Sequence, residues 1–152
     1  MRRALLCGLF GLAVALFGVA GLPQTPPEKP PVVQPTIEEL AQQYRRLRAK
    51  KVEPGVFDEE TYGFNGQKHE VMDKLVERLG ENGTTRARIE ELMGKPDLVV
   101  RPRDHYLWNL VSGDRGDAEL VLIYCWRGQH DFAWFGLRRR VVVAKGWWFA
   151  GE

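Results

Sequence analysis

The sequence predicts an α+β fold in which two or three N-terminal helices pack on an antiparallel sheet of three or four strands. Two observations predict it. Apolar residues recur at helical spacing between residues 36 and 93, and after Asp97 the chain becomes rich in β-branched and aromatic residues with short polar breaks. Because tight loops can join only antiparallel neighbours, the short breaks favour a meander.

The first 22 residues form a segment typical of export or membrane insertion. Arg2 and Arg3 precede an uncharged apolar run, residues 4–22, whose 19 residues would span about 28 Å as a helix. This length favours a single-pass anchor, with the rest of the chain outside the cytoplasm because Arg2 and Arg3 stay inside. The alternative is a signal peptide, cleaved near the small residues Gly18 and Ala20, that releases a secreted or periplasmic domain.

Residues 23–35 are predicted to form a stiff linker, since they hold six of the nine prolines. The globular domain is then predicted over residues 36–152. Removing Arg2 and Arg3 from the 22 basic residues leaves 20, against 20 acidic ones. A domain without net charge is not expected to bind nucleic acid.

Three helices are predicted in the first half of the domain. Thr36 and Glu39 form a capping box that starts the first helix. The second is predicted from about Gln67 to Leu79, and the third from about Arg86 to Met93, closed by Gly94.

The second half is predicted to contain four strands: His105–Val111, Glu119–Trp126, Asp131–Leu137 and Arg140–Phe149. The last three are apolar on both faces, which is unusual for a sheet covered on one side. In the final strand, Val142 is predicted to share a face with Trp148. The second face is expected to be covered by residues 98–104, by residues 56–64 or by another protein.

Aromatic side chains on these strands are the candidates for partner binding, because tryptophan is enriched at the centres of protein interfaces. The Trp147–Phe149 segment is the preferred anchor. The candidate partner-binding residues are Trp126, Trp134, Trp147 and Trp148.

The third predicted helix carries a family resemblance. The helix begins after Gly83-Thr84-Thr85 and ends at Met93-Gly94-Lys95-Pro96-Asp97, and both boundaries resemble those of the SmpA/OmlA (BamE-like) envelope domain. The likeness extends over about residues 65–149. Trp108 and the strands at Leu122–Trp126 and Arg140–Val143 follow in the same order as the corresponding elements of the family. The resemblance implies a periplasmic, membrane-associated accessory domain. The family is known best as a small lipoprotein subunit of the outer-membrane β-barrel assembly machinery.

The chain departs from that lipoprotein pattern in one respect. A lipoprotein carries its cysteine just after the apolar segment, whereas Cys7 lies within it. The apolar segment itself is therefore the predicted anchor. The β-lactamase-inhibitor proteins are similar in their plan of helices on a sheet, which leaves a soluble inhibitor-like binder as an alternative.

No catalytic, metal or cofactor site is predicted. The segment from His69 to Asp73 resembles the zinc-protease helix, yet it lacks the second histidine. His130 and Asp131 are neighbours on a strand and should point to opposite faces. The sequence indicates no cofactor and no small-molecule substrate; the alternative hypothesis is an extracytoplasmic enzyme that uses His69, His105 or His130 with carboxylates.

Overall fold

The protein is described by a computed structural model that covers residues 34–102, 105–111 and 115–151, with the backbone alone at His105. Its helices are α1 (Ile37–Ala49), α2 (Glu59–Tyr62), α3 (Gln67–Leu79), α4 (Arg86–Met93) and α5 (His105–Leu110). Its strands are β1 (Leu98–Val100), β2 (Leu120–Arg127), β3 (Asp131–Arg138) and β4 (Val141–Phe149). They form one antiparallel sheet in the order β1-β2-β3-β4, so the predicted α+β meander is confirmed.

The predictions for the export or anchor segment, and for residues 23–33 of the linker, lie outside the described residues. Within the part of the chain that the structure describes, no helix is both long enough and apolar enough to cross a bilayer.

The start of α1 and the limits of α3 and α4 match the prediction, and side-chain hydrogen bonds cap the starts of α1 and α4. At the start of α1 the Thr36 hydroxyl accepts from the Glu39 amide at 3.2 Å, and the Glu39 carboxylate accepts from the Thr36 amide at 2.7 Å, which completes the capping box. The α3 and α4 helices have the predicted limits. Thr85 caps α4 by accepting from the Arg88 amide at 3.2 Å.

The predicted strand at His105–Val111 is wrong, because this segment forms α5. Leu107, Trp108 and Val111 are partly or fully buried, whereas Tyr106 and Asn109 are exposed. This alternation has the spacing of a helix. A short apolar run fits the period of a helix and that of a strand equally well, so only tertiary packing could decide which of the two this segment forms.

The fourth strand is instead β1, in a segment predicted as a loop. Its three residues pair with residues 121–123 of β2. The remaining strand limits agree with the prediction to within one residue, whereas the four-residue helix α2 was not predicted.

Two apolar cores cover the two faces of the sheet, as the alternation of β2 and β3 predicted. The first core joins one face to α1, α3 and α4; its sheet residues are Leu122, Tyr124, Trp126, Ala133, Phe135, Leu137 and Val142. The second core lies on the opposite face and consists of Val100, Trp108, Val111, Val121, Ile123, Phe132 and Trp134. The chain therefore covers its own second face with α5 rather than with residues 56–64. Residues 98–100 of the other predicted cover form β1, which is a strand of the sheet itself.

The predicted face of Val142 is wrong for a specific reason. Leu137 pairs with Val142 while Gly136 pairs with Ala144, so β4 contains one extra residue at this point. Such a bulge shifts the alternation by one residue, so the residues before it point to the opposite face from the one that an uninterrupted strand would give them. Val142 therefore joins Trp147 in packing against the first core, while Trp148 packs against the second.

We expect Trp108→Ala to lower the free energy of unfolding by about 3 kcal/mol, because it opens a cavity where α5 covers the sheet. Trp108 is 8% exposed, whereas Tyr106 on the same helix is 75% exposed. Tyr106→Ala is the matched control and should change stability by less than about 0.5 kcal/mol. Urea unfolding measures both. Equal, small losses for the two variants would contradict the packing of α5 on the sheet.

We expect Gly94→Ala to lower the free energy of unfolding by about 1–3 kcal/mol, since Gly94 ends α4 at φ 80° and ψ −173°, a region that only glycine adopts readily. An added Cβ would find its nearest atom, in the Arg48 side chain, 3.7 Å away, so backbone strain alone causes the loss. Lys95→Ala, at the exposed neighbouring residue, is the control. If Gly94→Ala were as stable as Lys95→Ala, the expected backbone strain at position 94 would be excluded.

Candidate binding surface and polar pocket

Five ring-bearing side chains form an aromatic patch at one end of the sheet: Phe64, His69, Trp126, Trp147 and Phe149. His69, on α3, lies at the centre, with its ring centroid 4.5 Å from that of Trp126, 4.9 Å from Phe64 and 5.0 Å from Trp147. Trp147 and Phe149 stack almost in parallel, 5.5 Å apart. The patch thus joins α3, β2, β4 and the turn after α2.

Hydrogen bonds fix the two indoles of the aromatic patch. Trp126 Nε1 donates to the Thr61 carbonyl at 2.9 Å, and Trp147 Nε1 donates to the Asp73 carboxylate at 3.1 Å. The guanidinium of Arg127 lies 4.4 Å from the Trp126 ring centroid, within range of a cation–π contact. With their polar groups satisfied, both indoles present apolar faces to the neighbouring rings.

Phe64 and Phe149 form the outer surface of the aromatic patch. They are 61% and 41% exposed, although their ring centroids lie 6.1 Å apart and both contact buried neighbours. A cavity of about 270 Å³ lies beside them and is also lined by Arg127, His130 and Asp131. Apolar rings next to a hollow with a polar rim have the composition of a protein-binding surface.

The structure separates the four candidate tryptophans. Trp126 and Trp147 lie in the aromatic patch, whereas Trp134 and Trp148 belong to the opposite face of the sheet. Trp126 and Trp134 are almost fully buried, and Trp147 and Trp148 are partly exposed. Trp147 is therefore the candidate that combines a place in the patch with access to solvent.

Phe64 is the binding-surface residue that sequence analysis did not single out. It was considered only as part of residues 56–64, a possible cover for the second face. The signal was a large apolar residue between Gly63 and Asn65, in a short polar turn that has no period of its own. Its position over His69 depends on tertiary packing.

Of the histidine side chains that the structure describes, neither His69 nor His130 makes a hydrogen bond to a carboxylate. Burial lowers the pKa of His69, opposed by the nearby Asp73 carboxylate, so the ring is held in its neutral form. His130 is exposed at the turn between β2 and β3. Its neighbour Asp131 points inward, where its carboxylate accepts from Arg127 Nε at 2.8 Å and from the Ala150 amide at 3.2 Å. The side chain of His105 lies outside the described structure.

Among the residues that the structure describes, no three His, Cys, Asp or Glu side chains are grouped to hold a metal ion. Cys125 is half-buried, and burial raises the pKa of its thiol, with Asp97 acting in the same direction. The thiolate is disfavoured at neutral pH, so the Cys125 thiol is expected to be unreactive.

A polar pocket of about 290 Å³ is lined by residues from the end of α1, from α2, from α3 and from β2, Trp126 among them. Lys68 is buried in its wall and donates from Nζ to the Trp126 carbonyl at 2.8 Å. Arg48 also lines the pocket and donates to Asp97 at 2.6 Å. Lys50 contacts Asp58 and Glu60 at 2.9 and 2.7 Å. Sequence analysis did not identify this pocket.

Comparison with known proteins gives no match to this chain: no family model, no curated protein and no solved structure. The resemblance to SmpA/OmlA domains therefore stays a prediction. Its most specific segment has a structural role here. The Thr84 carbonyl accepts from the Val142 amide at 2.8 Å, and the Arg140 carbonyl accepts from the Arg86 amide at 2.9 Å, so the start of α4 is joined to the start of β4.

We expect stability to fall as the pH decreases below about 6.5, the ordinary pKa of histidine. The folded state holds the pKa of His69 below that value, so the unfolded chain takes up the proton first as the pH falls. His69→Phe should reduce this pH dependence between pH 7.5 and 5.5, measured by urea unfolding. The exposed His130→Gln is the control and should keep the wild-type difference; an unchanged difference in His69→Phe would contradict the assignment.

Proposed function

We propose that residues 36–152 act as a non-enzymatic protein-binding or scaffold domain of the bacterial cell envelope, held at the membrane by residues 4–22 and spaced from it by the proline-rich linker. The aromatic patch is the observation that carries the proposal. Phe64 and Phe149 expose apolar rings over a rigid base of buried rings, where a partner could bind without reorganising the domain.

The energetics of the aromatic patch support protein binding. Each square ångström of apolar surface removed from water contributes about 25 cal/mol, so covering two exposed phenylalanine rings favours association. The rings are already fixed by stacking and by the indole hydrogen bonds, so little conformational entropy would be lost on binding. The cavity beside Phe64 and Phe149 has room for one partner side chain.

The polar groups around the aromatic patch support the same conclusion. Arg127 and Asp131 form an ion pair at 2.8 Å in the lining of the cavity, and His130 lies at its rim. A polar rim around an apolar centre is the usual anatomy of a protein interface. Neither histidine ring of the described structure, at 69 or 130, makes a hydrogen bond to a carboxylate, so no contact specifically favours an enzyme.

The resemblance to SmpA/OmlA domains supports the envelope setting. In that setting the role would be an accessory one in membrane-protein assembly, which is the more specific part of the proposal. The Thr85 cap and the Gly94 turn hold α4 against the sheet, and a motif that sets this geometry is structural rather than catalytic.

The proposal is tested by placing a photo-crosslinking amino acid at position 64 of the full chain in intact cells. We expect a discrete protein adduct, because the side chain at this position projects from the aromatic patch. Phe149→Ser should reduce the adduct several-fold by removing the adjacent ring, 6.1 Å away. The same crosslinker at Tyr106, which is 75% exposed on α5, is the matched control for surface collisions.

Two results would count against the proposal. One is the absence of any adduct from position 64 that is not also formed from position 106. The other is an adduct whose yield does not depend on Phe149, since a partner seated on the patch has to cover both rings.

A further inference from the structure

Lys68 is a buried cation without a carboxylate partner in the described structure. It lies on the same side of α3 as Met72 and Leu75, which belong to the first core, and it is 7% exposed. Its one hydrogen bond is to the neutral Trp126 carbonyl. A buried charge of this kind is costly unless a counter-ion or water solvates it.

The carboxylates near Lys68 are engaged by other groups. Asp97 accepts from Arg48 at 2.6 Å through one oxygen and from the Cys125 amide at 2.8 Å through the other. It acts on Lys68 only at longer range, where it partly offsets the lowering of the Lys68 pKa by burial. An ammonium carries three donors, and the carbonyl of Trp126 accepts one of them.

The pocket provides room for a small anion beside Lys68, the one cation of its described lining that no carboxylate pairs. Its volume of about 290 Å³ is at the lower end of small-molecule sites. Arg48, Lys50 and Asp97 line it together with Lys68, and so do Thr61 and Tyr62. Arg48 is already paired with Asp97, and Lys50 with two carboxylates of the segment around α2, whereas Lys68 has no such pair in the described structure. Arg48 and Lys50 come from the C-terminal end of α1 and Lys68 comes from α3, so the folded chain brings the three cations together from two helices.

We propose that this pocket binds a small oxyanion, a carboxylate or phosphate group, with Lys68 as the buried anchor and Arg48 and Lys50 at the mouth. The bound oxygens complete the hydrogen bonds of the Lys68 ammonium and supply the counter-charge that the protein does not. The site shares Trp126 with the aromatic patch, but its cations are not part of the patch, so its failure would leave the proposed protein binding intact.

The test is a titration of the full chain, in mild detergent, with sodium phosphate or sodium acetate at constant ionic strength, followed by amide NMR. We expect saturable shifts at Lys68, Cys125 and Trp126, which line the pocket. Lys68→Met should weaken binding at least about tenfold, by removing the anchoring charge. Lys74→Met, at an exposed lysine of the same helix, is the control for net charge and should bind as the wild type does.

The two probes distinguish the chemistry of the anion: saturation by phosphate alone assigns a phosphate group, and saturation by acetate assigns a carboxylate. Lys50→Gln, at the exposed mouth, should fold normally and weaken binding about threefold, as expected for a solvent-exposed charge. If Lys68→Met fails to fold, the affinity of the Lys50→Gln variant tests the proposal instead. No saturable shift with either probe would overturn the proposal, and so would equal affinity in the wild type, Lys68→Met and Lys50→Gln.

Discussion

Burial of the central strands on both faces is the constraint on which the rest of the structure depends. Strands β2 and β3 carry apolar side chains towards both sides, so each face needs its own cover. The helices α1, α3 and α4 cover one face and α5 covers the other. The sheet is thus the middle layer of the domain, and its ends are where the two covers stop.

Trp126 lies at such an end and connects the two candidate sites. Its ring belongs to the aromatic patch, its Nε1 donates to Thr61, and its carbonyl accepts from Lys68. The side chain is almost fully buried, so it supports both sites without offering much surface itself. Binding at either site would act on a rigid residue shared by both, whereas access to a partner falls to Phe64, Trp147 and Phe149.

The candidate sites could be predicted from the sequence only in part. The aromatic C-terminal strand pointed to Trp147 and Phe149 because their residue types are typical of interfaces. Phe64 and Lys68 were not identified, since Phe64 lies in a turn without a period of its own and lysine is a residue type that is mostly exposed. Lys68 did leave a signal, four residues before Met72 and seven before Leu75, on the apolar stripe of α3.

The sequence by itself determined the features that depend on neighbouring residues: the capping box of α1, the limits of α3 and α4, and the two-sided alternation of β2 and β3. Hydrogen bonds over three or four residues and a side-chain period are readable without knowing the fold. Only the tertiary structure decided that residues 105–110 form a helix, that β1 is a strand and that the bulge in β4 turns Val142 towards the first core. Short segments have no period to specify them, so long-range contacts select their conformation.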